Sequence, residues 1–347
     1  MTQSAGYFQY YDATARASKL LGMDISTAGA QYPVNWATSY SYGVRFVYMK
    51  TGNGITTDDA NFLTANIANA RSAGLKVGTY HFSAPSVTGW SVSASESEAN
   101  KYCDRIIAQF PSGDTGDLMP CLDMESDTVL VGVTTDEIRN WIIAFINQVK
   151  LRIGRHCIVY TNYYSIDQTF PDPIIANLGT VCPLWIAGKA PDLIYNQPPT
   201  TYPNYNFTAF GNFPGDLWDM WQYSSDGNGQ GSLFGVSSTD IDTDILEGDF
   251  YSLERPSQIT ITSVTPGNNE LLVQWTMPPD TDILQYNIYI NGSKVGDAPS
   301  SPYTKTGLIN NTTYSVVVTA QDQWEESILS DGIRYAKRKY FIYSIIK

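Results

Sequence analysis

The sequence predicts an α/β protein: an irregular (β/α) TIM-like barrel followed by an all-β, immunoglobulin-like sandwich. Three observations predict it. Through residue 250 or so, short apolar runs alternate with amphipathic stretches, the pattern of parallel strands joined by helical crossovers. From Ile259 onward the apolar period changes to two, with turn signals about ten residues apart. The 347 residues are 43% hydrophobic and 16% charged, which supplies real cores and excludes a disordered chain.

The barrel strands are expected at 23–25, 45–49, 75–82, 118–124, 157–161, 183–187, 220–223 and 239–245. Helices are expected at 58–71, 96–110 and 134–149. The last is the clearest: Thr134 and Glu137 have capping-box spacing, and Ile138, Trp141, Ile142, Phe145 and Val149 share one face. The connections within 185–220 are rich in Pro, Tyr and Asn and lack helical periodicity, so the barrel is expected to be irregular there. The organisation predicted is an extension at 1–20, the barrel at 21–254, the sandwich at 257–335 and a basic, aromatic tail at 336–347.

Composition removes several functions. The formal charge is −13, and residues 257–347 hold seven Lys/Arg against eight Asp/Glu, so the remaining −12 belongs to residues 1–256. That balance argues against a nucleic-acid partner, which wants a basic face. No apolar run reaches the ~18 residues of a membrane span. Cys103, Cys121, Cys157 and Cys182 form no C-x-x-C pair, and His81 and His156 are the two histidines, so neither a structural zinc site nor a His-based zinc enzyme is expected. The cysteines are expected to be buried free thiols. The N-terminus shows no secretory signal, so synthesis in the cytoplasm is expected. GNGQG at 227–231 opens no apolar helix and reads as a loop, not a phosphate cradle.

The chemistry is expected where acids interrupt apolar strands. MPCLDMES at 119–126 carries Asp123 and Glu125 two positions apart, which in a strand places both on one face with Cα atoms about 6.5 Å apart. Strands of a parallel barrel are buried on both faces, and unsatisfied acids there cost several kcal/mol each. A site tolerates that cost more readily than a core does. Paired acids also suit glycoside hydrolysis, since repulsion and burial keep one protonated as general acid. The bland alternative is two solvated acids at a strand end. Asp24 and Asp242 end strands in the same way and would meet at the barrel mouth if the first and last strands are neighbours. The Asp240, Asp242, Asp244 spacing also suits an oxygen-ligand cation, but no Gly or Glu follows as a calcium loop needs. Tyr80, Tyr160, Trp185 and Trp221 sit at strand ends and could stack on sugars, with Asn162 and Gln222 supplying directed hydrogen bonds.

GMDIS (22–26), FVYMK (46–50), AGLKVGTYHF (73–82), PCLDME (120–125), IVYTN (158–162), PLWIA (183–187), WQY (221–223) and IDTDILEG (241–248), in that order, resemble glycoside hydrolase family 25, the muramidases. The resemblance runs from about residue 20 to 250. It implies an irregular barrel that cleaves the β-1,4 bond between N-acetylmuramic acid and N-acetylglucosamine, with no cofactor. By position Glu125 matches the proton donor. Asp123 matches its partner, either nucleophile or orienter of the substrate's acetamido group. Asp24 and Asp242 match two further acids, and Tyr80, Tyr160 and Trp185 match groove residues. Two departures stand out: residues 27–36 are longer and lack the family's first Trp, and TGNG at 51–54 lacks an acid the family often has. The second part resembles a fibronectin type III domain, with Trp275 on an early strand and Leu308 six residues before Tyr314 as in that family's tyrosine corner. There it implies a spacer or a docking surface for a protein partner. Two rivals remain open at this point: a non-catalytic glycan-binding barrel, and a phage tail or injection-particle component rather than a free endolysin released by a holin.

Overall fold

Eight strands close into a mixed barrel in the computed structural model, which describes residues 7–8, 19–125, 133–162, 178, 181–188, 219–225, 229–247, 250, 253–328 and 333–336. The chain divides into two compact units, Met1–Leu253 and Glu254–Lys347. The tail from 337, nearly all of the 1–20 extension and most of the 185–220 connections lie outside the described residues.

The barrel strands are β1 Lys19–Ile25, β2 Val44–Asn53, β3 Lys76–Phe82, β4 Cys121–Asp123, β5 Ile158–Asn162, β6 Leu184–Ala187, β7 Met220–Ser224 and β8 Asp242–Glu247. Successive pairs from β1 to β7 are parallel. The last strand departs from the parallel expectation: β8 runs antiparallel to both β7 and β1. The reason is the connection before it. A parallel crossover needs an element that carries the chain back along the barrel, and the described part of 225–241 holds one short 3-10 turn, Gly231–Phe234. The chain therefore enters β8 at the end where it left β7.

Each strand is buried on both faces, as the apolar runs require. Leu21, Met23, Ile25, Val47, Met49, Leu122, Val159 and Ile186 face outward into one cluster with helix residues such as Ile67, Ile106, Trp141 and Phe145. The alternate residues Leu20, Phe46, Tyr48, Cys121, Ile158, Trp185, Met220 and Leu246 are buried too and fill the interior. Two glycines make room for that filling. A Cβ on Gly22 would lie 2.1 Å from the Phe46 ring, and one on Gly78 would lie 2.5 Å from the Tyr48 ring. Overpacking of that kind costs about 1–3 kcal/mol.

The helices are α1 Trp36–Tyr42, α2 Thr64–Ser72, α3 Pro85–Thr88, α4 Val92–Gln109 and α5 Thr135–Ile153. In α5 the capping box forms as its spacing predicts: Glu137 N–H donates to Thr134 Oγ1 at 3.2 Å, and Thr134 N–H donates to Glu137 Oε2 at 2.8 Å. The helix expected from residue 58 starts later. Asp58 belongs to a two-residue strand beside β2 and accepts from Arg105 Nε at 2.7 Å. All four cysteines are buried free thiols. No described helix is long and apolar enough to cross a membrane.

The second unit packs two antiparallel sheets. One holds β9 Thr260–Gly267, β10 Glu270–Thr276 and β13 Tyr303–Thr306; the other holds β11 Gln285–Ile290, β12 Ser293–Ala298, β14 Thr313–Gln321 and β15 Ile333–Ala336. Their inward residues form one core, with the Trp275 and Tyr286 rings 5.4 Å apart. The tyrosine corner is present: Ile309 N–H donates to Tyr314 Oη at 2.9 Å.

Candidate active site

Strand alternation brings side chains from all eight strands to one cavity of about 200 Å3. Asp24 comes from β1, Lys50 from β2, Tyr80 and Phe82 from β3, Asp123 and Glu125 from β4 and its exit, Tyr160 from β5, Trp185 from β6, Gln222 from β7 and Asp242 from β8. The antiparallel course of β8 matters here. Asp24 is the last residue but one of its strand and Asp242 opens its own, yet the register pairs them directly across the β1–β8 ladder.

Hydrogen bonds order the floor. Tyr160 Oη donates to Gln222 Oε1 at 3.0 Å, which fixes the amide so that Gln222 Nε2 donates to Asp24 Oδ2 at 2.7 Å. Trp185 Nε1 donates to Asp244 Oδ1 at 3.1 Å, and its ring packs 5.0 Å from Tyr160 and 4.9 Å from Tyr48. Lys50 Nζ lies 4.5 Å from the Phe82 ring centroid. Asp123 Oδ1 is buried and has no hydrogen-bond partner.

Burial dominates the electrostatics. It raises Asp24 to about 7, with the Gln222 hydrogen bond and the Lys50 charge opposing it and the Glu125 charge adding to it. Burial lifts Asp123 well above the usual carboxylate range, reinforced by Glu125 and opposed by Lys50. Asp244 is raised by burial and then by Asp24 and Asp242. Tyr80 and Tyr160 are pushed far up by burial first, so their hydroxyls stay neutral. Several acids thus hold protons at pH values where free carboxyls have lost them.

These shifts carry a stability consequence. The folded chain keeps a proton on Asp24 that the unfolded chain releases near pH 4. Stability from this source is complete in acid and is lost as pH rises through about 7. Asp24→Asn removes the penalty of the buried charge. The variant is expected to melt higher than the parent at pH 8, to converge with it at pH 4, and to lose activity. Thermal melts at both pH values check this; equal melting offsets at the two would contradict it.

Eight of the residues expected from sequence line the cavity: Glu125, Asp123, Asp24, Asp242, Tyr80, Tyr160, Trp185 and Gln222. Asn162, the half-buried last residue of β5, is not among its lining. Trp221 is a correction. It points outward into the strand–helix core, 6.1 Å from the Tyr223 ring, and its Nε1 donates to the Gly188 carbonyl at 2.9 Å. Period two puts Gln222 inward and therefore Trp221 outward. Sequence reasoning missed Lys50, Phe82 and Ser225. Phe82 stands two positions from a predicted residue on the same strand, and Lys50 two from the interior Tyr48, so strand phase was the available signal.

A closed β/α barrel whose mouth gathers carboxyl groups, one or more kept protonated by burial, is equipped for glycoside hydrolysis. The family follows from comparison. The chain belongs to the glycosyl hydrolases family 25, whose model matches residues 23–232, as the motif order leads one to expect. The fibronectin type III model matches residues 254–331. Lysozyme M1 of Streptomyces globisporus is 28% identical over 242 residues, 67% of this chain and 70% of that protein. An N,O-diacetylmuramidase of Arthroderma benhamiae is 28% identical over 152 residues, 42% of this chain and 59% of that one. The crystal structure of the Clostridium perfringens spore cortex lytic enzyme SleM superposes with a TM-score of 0.71 at 24% identity, covering 92% of this chain and 98% of that one, and so shares its fold. The chain is a glycoside hydrolase of the muramidase family.

Proposed function

We propose that this enzyme cleaves the β-1,4 bond between N-acetylmuramic acid and N-acetylglucosamine in peptidoglycan. The observation that carries the reading is the convergence of Asp24, Asp123, Glu125 and Asp242 on one aromatic-walled cavity. Glu125, half-buried at the rim, gives its proton to the glycosidic oxygen, and the C1–O bond breaks with its electron pair on the leaving sugar. The positive charge at C1 is met by the substrate's own acetamido oxygen, oriented by Asp123, or by Asp123 directly. Water then attacks C1 and returns a proton to Glu125. Asp24 and Asp242 hold sugar hydroxyls or the acetamido group from the opposite wall, and Tyr80, Tyr160 and Trp185 shape the groove.

Mass spectrometry of digested peptidoglycan tests this. Fragments with reducing-end muramic acid support it. Reducing-end glucosamine would make the enzyme a glucosaminidase, and 1,6-anhydro ends a lytic transglycosylase.

We further propose that the protein is made in the cytoplasm and reaches the wall as a phage lysin, after holin-type release or within a phage-like particle. Buried thiols without disulfides suit synthesis in a reducing compartment. The fibronectin-like unit supports the particle route as a spacer or a protein-docking surface. Detection in purified particles favours that route, and detection in lysates alone favours the free endolysin.

A further inference from the structure

Asp244 lies one step below the cavity, where no sugar reaches it. On β8 it sits between Gly22 of β1 and Gln222 of β7. Its side chain is fully buried. One oxygen, Oδ1, accepts from the Trp185 indole at 3.1 Å; the other, Oδ2, has no hydrogen-bond partner. A carboxylate oxygen left bare in such a place is costly. A carboxylic acid with its hydroxyl on that oxygen is not, provided an acceptor stands opposite. The titratable groups facing Asp244 are Asp24 from β1 and Asp242 on its own strand; Trp185 from β6 and Gln222 from β7 are neutral. Lys50 acts on Asp24, as does the Gln222 amide, so the negative charge of the pair settles on Asp24.

We propose that Asp244 is a positioning residue whose Oδ2 carries a proton directed at Asp24, so that the two buried carboxyls hold one proton between them and Asp24 meets the sugar as the anion. The same carboxyl anchors Trp185, a wall of the groove, through its other oxygen. Burial raises both carboxyls above the usual carboxylate range, and on Asp24 the Gln222 amide and the Lys50 charge oppose it. The inference rests on Asp24 belonging to the reacting cluster, and its test separates the two ideas.

Two variants and two readouts test it. Asp244→Asn keeps both contacts, with the amide oxygen toward Trp185 and the NH2 group toward Asp24. Asp244→Leu keeps the volume and loses both. In D244L, kcat is expected to fall about tenfold or more, and the rising limb of the pH–kcat profile moves to higher pH, because Asp24 has lost a donor and ionises later. D244N restores kcat and the parental limb. Infrared difference spectra at pH 8 supply a readout that needs no turnover: the parent's protonated-carboxyl carbonyl band loses one component in D244N. An unchanged carbonyl band in D244N, or D244N as impaired as D244L, overturns the proposal. A lost band in a protein whose parent cuts no glycan would instead leave the shared proton standing and sink the muramidase reading.

Discussion

Glu125→Gln leaves a folded protein that no longer clears cell-wall suspensions. The expected loss in kcat is about 10²–10⁴-fold, the usual contribution of a general acid. Glutamine copies the shape, but its amide has no acidic proton to give a departing sugar oxygen. The side chain stands at the rim of the cavity beyond the end of β4 and is only half-buried, so the substitution leaves the packed layers untouched and the melting temperature close to the parent's. Reducing-end release measured beside a thermal melt checks both halves. Parental rates with an unchanged melt would take Glu125 out of the reaction.

The second large effect is at Asp123. Its Oδ1 is buried without a hydrogen-bond partner, and burial together with the Glu125 charge makes its ionisation unfavourable. A carboxyl kept in that state serves a partner that arrives with the substrate. Asp123→Asn is expected to lower kcat about 10²-fold or more. Added azide distinguishes the two routes. If Asp123 forms the bond to C1, azide substitutes for it and restores turnover with a glycosyl azide as product. If the acetamido oxygen forms that bond, azide restores nothing, and a thiazoline mimic of the cyclised sugar binds the parent tightly and D123N weakly. Turnover in D123N within a few-fold of the parent would remove Asp123 from both routes.

Much of this was legible in the chain. Acids placed two apart in an apolar strand are so costly in a core that Asp123 and Glu125 announce a site before any coordinates exist. The capping box of Thr134 and Glu137 fixes the start of α5 from four residues alone. Other features depend on information that no short window holds. Trp221 and Gln222 are adjacent in a run of large residues, and only the phase of β7, set by its neighbours' register, decides that the amide enters the cavity and the indole leaves it. The direction of β8 depends on an unhelical connection whose route is a tertiary matter. Asp244 was visible as one of three alternating acids, but its part differs from that of Asp242 by a single rung of depth, which composition does not encode.

The ring is sealed by joining its earliest strand to its latest, with Asp24 set against Asp242 across the seam. A ribosome delivers these two strands far apart in time, so a nascent chain carries most of its hydrophobic walls before it has any competent centre. Such long-range closure is slow compared with local folding. A chain that stops short of Asp242 lacks both the strand that seals the ring and one of the four acids gathered at its mouth.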